Sequence, residues 1–187
     1  TVMAGTPSIR LAMQALAGCQ IKSARGILNG TTNYMLTEME GGLGYAEALE
    51  LAQALGYAES DPTADVDGWD SAGKAIILAA ALFAKKLTLD EIDVRGIRSI
   101  TPEEITAARA AGERWKLIAQ ITPDGGSVAP VRISENHPLA SVSGATNAIT
   151  YSTDLLGDIT LIGAGAGGVQ TGFGLLSDLL EIAQRFG

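Results

Sequence analysis

Apolar positions recur at helical spacing in some stretches of this chain and alternate in others. Ile9, Met13 and Leu16 fall on one helical face behind Thr6-Pro7, which reads as a cap with proline in the first turn, and Gly18 can end that helix. Ile21 to Leu28 is a short strand candidate. Asn29-Gly30-Thr31-Thr32 reads as a turn into a helix near Asn33 to Glu40, broken by Gly41, Gly42 and Gly44. A second helix, Tyr45 to Leu55, closes at Gly56. Gly56 to Gly68 is rich in acids and turn formers and reads as a loop. The next helix, about Trp69 to Ala84, is polar at its start and nearly all apolar later, the pattern of a buried helix. Leu87 to Ile92 reads as a linker with a short turn, and Thr101-Pro102-Glu103-Glu104 opens another helix. Trp115 to Ile121 and Ser127 to Ile133 flank Pro123-Asp124-Gly125-Gly126, a hairpin signal. Thr146 to Ser152 and Asp158 to Ile162 are further strands, Gly163 to Gly168 a glycine-rich turn, and Leu175 to Phe186 a final helix. Trp69, Phe83, Trp115 and Phe173 read as core or interface residues. There is no internal repeat, and the order of elements predicts an α+β fold with helices on one mixed or antiparallel sheet.

Composition narrows the function. The 187 residues are 47% hydrophobic and 18% charged, which argues against intrinsic disorder. With 13 Lys plus Arg against 21 Asp plus Glu, the net charge is −8, so nucleic acid is not expected as a partner. The longest apolar run, Ala75 to Ala84, has 10 residues, too few to span a bilayer, and no secretory signal pattern is present. A lone cysteine, Cys19, offers neither a disulfide nor a zinc cluster. A cytoplasmic protein is expected. The chain opens in a segment that already reads as structured, which implies a domain whose upstream partner lies outside this sequence.

Two segments carry candidate chemistry. Gly163, Gly165 and Gly168 form a G-x-G-x-x-G between a strand and a helix, yet only 19 residues follow, too few for the second strand and ribose-binding acid of a dinucleotide fold. Either this is a tight strand-to-helix turn, or its bare backbone touches a ligand held mostly by another domain. Asp65, Asp67 and Gly68 imitate part of a calcium loop, but Thr63 and Lys74 stand where carboxylates are needed. Asp70 and Lys74 share a helix face. As an ordinary exposed ion pair they would contribute a few tenths of a kcal/mol at most. At the edge of a buried helix, a partly desolvated lysine beside a carboxylate can instead give or take a proton. Glu59, Asp61, Asp65 and Asp67 lie just upstream, and converging carboxylates suit a ligand with an ammonium group.

Three blocks are specific. Gly26-Ile27-Leu28-Asn29-Gly30-Thr31-Thr32-Asn33-Tyr34, Gly56-Tyr57-Ala58-Glu59-Ser60-Asp61-Pro62 running on to Asp65-Val66-Asp67-Gly68-Trp69-Asp70-Ser71-Ala72-Gly73-Lys74, and Gly163 to Gly168 with the helix through Asp178 to Arg185 occur in this order. Together they resemble the homoserine dehydrogenase family over essentially the whole chain. The resemblance implies an NADPH- or NADH-dependent oxidoreductase that interconverts aspartate 4-semialdehyde and homoserine on the way to threonine, methionine and isoleucine. It implies that Lys74 donates the proton, that Asp70 orients it, and that Glu59, with Asp65 and the main chain around Tyr57, binds the substrate ammonium. Gly30 and Thr31 would line the substrate pocket and Gly165 and Gly167 would lie against the cofactor. Val2, Ala4 and Thr6 match the segment whose carbonyls hold a monovalent cation such as sodium, although the family's glutamate for that site would fall before Thr1. The implied fold is a mixed sheet with helices on one side, the sheet building a homodimer. Residues 1–187 would be the substrate-binding, catalytic and dimerisation domain, with no dinucleotide-binding Rossmann domain or C-terminal regulatory extension, and NAD or NADP would be held mainly by a missing or separate Rossmann domain.

His137, before Pro138 and with no second histidine, reads as a surface residue, and Cys19 as a bystander. Two other classes stay open: a non-catalytic module binding a small amino acid, and a subunit completing a separate Rossmann chain.

Overall fold

The computed structural model describes residues 2–186. Its main elements are α1 (Ser8–Arg10), β1 (Ile21–Ile27), α2 (Gly30–Glu40), α3 (Tyr45–Ala54), α4 (Thr63–Val66), α5 (Trp69–Phe83), β2 (Ile92–Val94), α6 (Pro102–Ala110), β3 (Glu113–Ile121), β4 (Gly126–Ser134), β5 (Thr146–Thr153), β6 (Asp158–Ala164) and α7 (Gly168–Phe186). The strands form one six-stranded sheet in the order β2-β4-β3-β1-β5-β6. β2 runs parallel to β4 and the other pairs are antiparallel, so the sheet is mixed. Strand alternation sends Ala24, Leu117, Ala119, Ile121, Ile149 and Tyr151 to one face, where they meet Met35 and Leu36 of α2 and Leu78 of α5 in the main core. Ile27, Ile118, Ile133 and Ala148 point the other way and are covered by Leu139, Ala140 and Val142 of the β4–β5 connection. The expected α+β architecture, with helices on one side of a mixed sheet, is what the chain adopts.

Several elements differ from expectation. Thr6 does not cap the first helix: its hydroxyl donates to the Ala164 carbonyl, and the helix continues from Leu11 to Ala15 as a π-helix, closed by Leu16 N–H to Leu11 O. The wider turn rotates Met13 into solvent, where it is 53% exposed, while Leu16 is buried. α2 begins at Gly30 rather than Asn33, because Asn29 serves as its N-cap by accepting the Thr32 N–H at 2.9 Å. The loop from Gly56 to Gly68 contains the short helix α4; the expected linker holds its short turn at Leu89–Glu91, and β2 follows it directly. α5 is not buried all round, since Ile77 and Ala80 face solvent. Of the residues read as core or interface, Trp69 and Phe173 are exposed, which leaves them the interface reading. His137 is half-buried in the β4–β5 connection, where its Nδ1 accepts the Leu139 N–H.

Lys116 lies buried on β3. Its Nζ donates to the Val142 carbonyl at 2.8 Å and to Asn33 Oδ1 at 3.3 Å. Asn33 Nδ2 in turn donates to Gly144 O and Thr146 O, so the pair clamps the β4–β5 connection to α2. Burial pushes the Lys116 ammonium below its ordinary range, with Glu40 opposing. Between that depressed value and about 10.4 the unfolded chain binds the extra proton, so stability rises with pH in this window. Urea unfolding should therefore show wild type gaining stability relative to Lys116→Met as pH rises towards 10. A difference independent of pH would contradict this.

α7 turns its apolar face outward. Its inward stripe is Gly174, Ser177 and Glu181. A Cβ at position 174 would stand 2.5 Å from the Ala4 carbonyl oxygen, so only glycine allows this approach. Arg10 pairs with Asp178 at 2.7 Å and Glu181 at 3.1 Å, and Gln14 donates to Glu181 at 2.9 Å. On the outer side, Val169, Phe173, Leu175, Leu176, Leu179, Leu180, Ile182 and Phe186 are each more than half exposed.

Candidate functional site

The candidate chemistry collects at the C-terminal end of β1, where the chain enters α2 and where α5 begins. Gly68, at φ +89°, makes the left-handed turn from α4 into α5. That reversal sets Asp65, on α4, beside Asp70, in the first turn of α5, where the helix dipole favours a carboxylate. One turn further, Lys74 Nζ donates to Asp70 Oδ2 at 2.7 Å and to the Leu28 carbonyl at 2.8 Å. Asn29 Nδ2 donates to Asp70 Oδ2 at 2.9 Å and to Asp65 Oδ1 at 2.6 Å. The Lys74 and Asp70 side chains are 22% and 33% exposed, so the pair is reachable but partly desolvated. Among the described residues, one Lys74 N–H, Asp70 Oδ1 and Asp65 Oδ2 have no hydrogen-bond partner. A cation donor and two carboxylate oxygens are thereby left for a ligand.

Thr31 Oγ1 donates to the Tyr57 carbonyl at 2.7 Å, which ties the acidic loop to α2. The Tyr57 ring leans on Tyr34 with centroids 4.9 Å apart. Gly30, at the head of α2, is half-buried beside Asn147. Of the carboxylates expected to converge, Asp65 alone joins the cluster. Asp61 faces the Thr63 hydroxyl and accepts the Thr63 N–H at 3.1 Å at the start of α4, and Thr63, side chain first and backbone second, holds its carboxyl below the usual range. Asp67 is drawn away by Arg98. Glu59 is exposed on the loop, its backbone carbonyl held by Gln53. A cavity of about 410 Å³ lies beyond Asp67, lined by Arg95, Arg98 and Trp115, and does not reach Lys74.

The glycine turn is no self-contained nucleotide site, because β6 is an edge strand paired antiparallel to β5 and no strand follows α7 among the described residues. Its glycines answer to packing within the chain: a Cβ on Gly165 would stand 2.3 Å from the Asn147 side chain, and one on Gly167 2.2 Å from Gln170 Oε1. The turn offers exposed backbone and no recognition side chain, which fits a contact with a cofactor's edge and not the holding of a dinucleotide. Val2 O accepts the Ser8 hydroxyl at 2.8 Å and Thr6 O accepts the Ser8 N–H at 2.7 Å. The Ala4 N–H donates to Gly165 O at 3.0 Å, and the Ala4 carbonyl faces Gly174. Val2 O and Thr6 O thus accept hydrogen bonds from Ser8, and each keeps a second lone pair.

Sequence reasoning missed Asn29 and Asn147. The signal for Asn29 was a good N-cap residue just before Gly-Thr-Thr. Asn147 gave none, yet its buried side chain sits between Gly30 and Gly165, with Oδ1 unpartnered among the described residues.

Residues 7–180 match the family model for homoserine dehydrogenase. The chain is 53% identical to the NAD(+)-dependent homoserine dehydrogenase of Pseudomonas canavaninivorans, over 98% of this chain and 54% of that protein. It is 44% identical to homoserine dehydrogenase of Methanocaldococcus jannaschii, over 94% of this chain and 52% of that protein. A homoserine dehydrogenase structure from Thiobacillus denitrificans superposes with a TM-score of 0.93 at 35% identity, covering 97% of this chain and 43% of that one. A hyperthermophilic archaeal homoserine dehydrogenase mutant in complex with NADPH gives 0.85 at 34% identity, covering all of this chain and 55% of that one. The chain thus spans about half the length of the curated relatives it matches.

Proposed function

We infer that this chain, which belongs to the homoserine dehydrogenase family, is the half of such an enzyme that binds the amino-acid substrate and manages its proton. The reaction assigned is the interconversion of aspartate 4-semialdehyde and homoserine. The observation that carries this reading is Lys74 Nζ, held by Asp70 and the Leu28 carbonyl with one N–H left over, beside Asp65. Hydride arriving at an aldehyde carbon leaves an alkoxide, which needs a proton and positive charge within hydrogen-bond reach. Lys74 supplies both, and in the oxidative direction it takes the proton back from the homoserine hydroxyl. Asp70 fixes its direction. Asp65 receives the ammonium, with Glu59 of the same acidic loop as its expected second carboxylate, and Gly30, Thr31 and Tyr57 form the adjoining wall. Hydride transfer is the chemistry a nicotinamide cofactor supplies when bound, since no side chain can. Gly165 and Gly167 are the positions of this chain that would border it.

The outward apolar face of α7 is the surface assigned to the nucleotide-binding half. A continuous exposed apolar stripe needs a partner, and the relatives carry nearly as much chain again outside the matched segment. The half-exposed Ile162 and its neighbours on the outer sheet face are the surface assigned to a homodimer.

Calorimetry on the completed enzyme, meaning this chain joined to a nucleotide-binding half, tests the substrate reading. Homoserine should bind at least roughly tenfold more tightly than 4-hydroxybutyrate, which lacks the ammonium, because a charge-assisted hydrogen bond is worth about 1.5–3 kcal/mol. Equal affinities would contradict an ammonium site at Asp65 and Glu59.

A further inference from the structure

Asn29 is buried, at 5% exposure, and all four of its side-chain hydrogen-bonding positions are occupied. Oδ1 accepts the Thr32 N–H at 2.9 Å and the Thr32 hydroxyl at 3.0 Å. Nδ2 donates to Asp65 at 2.6 Å and to Asp70 at 2.9 Å. The amide orientation follows from chemistry, because two carboxylates facing one amide can only accept. Capping α2 uses Oδ1 alone, and serine or aspartate would cap as well. The nitrogen answers to a different demand. Asp70 Oδ2 receives Asn29 and Lys74 together, while Asp65 receives Asn29 from the other side. Aspartate at position 29 would bring a third carboxylate against two others, and serine would reach neither.

We propose that Asn29 is a positioning residue that couples the ammonium-binding carboxylate to the proton-transfer pair, so that one amide sets substrate binding and proton transfer together. This rests on the functional reading above. Bound through Asp65, the substrate ammonium is referenced through Asn29 to Asp70 and so to the Lys74 N–H that faces the reacting oxygen. The distance between the two ends of the substrate is thereby built into the site.

The test uses Asn29→Ser and Asn29→Asp in the completed enzyme, since both keep the cap and remove the bridge; should one fail to fold, the other gives the result. Loss of hydrogen bonds to charged groups predicts kcat for homoserine lowered about tenfold and its KM raised about tenfold, with the cofactor KM nearly unchanged. Both homoserine parameters within twofold of wild type would reduce Asn29 to a cap, and movement of only one would overturn the coupling. Wild-type turnover reads the function separately. If wild type does not turn over homoserine, that reading fails, and NMR still judges the coupling. Asp65→Asn should shift the Lys74 side-chain resonances in the wild-type background and leave them in place in Asn29→Ser. Equal shifts in both backgrounds would overturn it.

Discussion

Replacing Lys74 with alanine is expected to lower kcat for homoserine oxidation by about 10³-fold or more in the completed enzyme, while the homoserine KM changes by less than about tenfold. A positioned general acid contributes roughly 10²–10⁴-fold, and a charge aimed at a developing oxyanion adds a further factor of similar kind. Lys74 offers both through a single N–H, because its other two bonds go to Asp70 and Leu28. Nothing else in the cluster can substitute: Asp65 and Asp70 accept hydrogen bonds, and Asn29 has no donor to spare. Substrate binding rests on the carboxylates, which the substitution leaves in place, so the loss belongs in kcat. Steady-state kinetics checks this, and a kcat within a few-fold of wild type would remove Lys74 from its role.

The second large effect concerns the two halves. Alone, the 187-residue chain is expected to give no measurable homoserine-dependent NAD(P)H, because the glycine turn provides backbone and nothing that can hold a dinucleotide. Adding a nucleotide-binding half should restore turnover, and Leu176→Glu with Leu180→Glu on α7 should abolish that restoration. Both leucines are more than half exposed in the chain alone, so the change costs its folding little and places two charges in the interface. Turnover by the pure chain, or restoration that survives the double substitution, would contradict this arrangement.

What could be read ahead of the structure follows the range of the forces involved. Asp70 and Lys74 are legible as a pair because one turn of helix fixes their spacing. The hairpin between β3 and β4 is legible because Pro123-Asp124-Gly125-Gly126 is a local turn signal. The Asn29 bridge is not, because its partners lie 36 and 41 residues away and meet it only after Gly68 reverses the chain. β2 escapes notice because three residues with no turn signal pair with a distant strand. α7 starts seven residues earlier than expected and runs through Gly172 and Gly174, poor helix formers, because Gly174 is what lets the helix approach Ala4. Phe173 reads as core or interface, and the α7 leucines lie, like it, on the exposed side of the helix. They are exposed because the stripe that packs on the N-terminal segment is the polar one, held by Arg10 and Gln14.

The assignment of this chain as a substrate half can be tested by exchange. Grafting residues 1–187 in place of the matching segment of the Pseudomonas canavaninivorans relative, and measuring homoserine-dependent NAD+ reduction, tests it most directly. The graft should turn over homoserine and lose that activity with Lys74→Ala; a folded graft that binds NAD+ yet leaves homoserine untouched would mean that the chain is no substrate half.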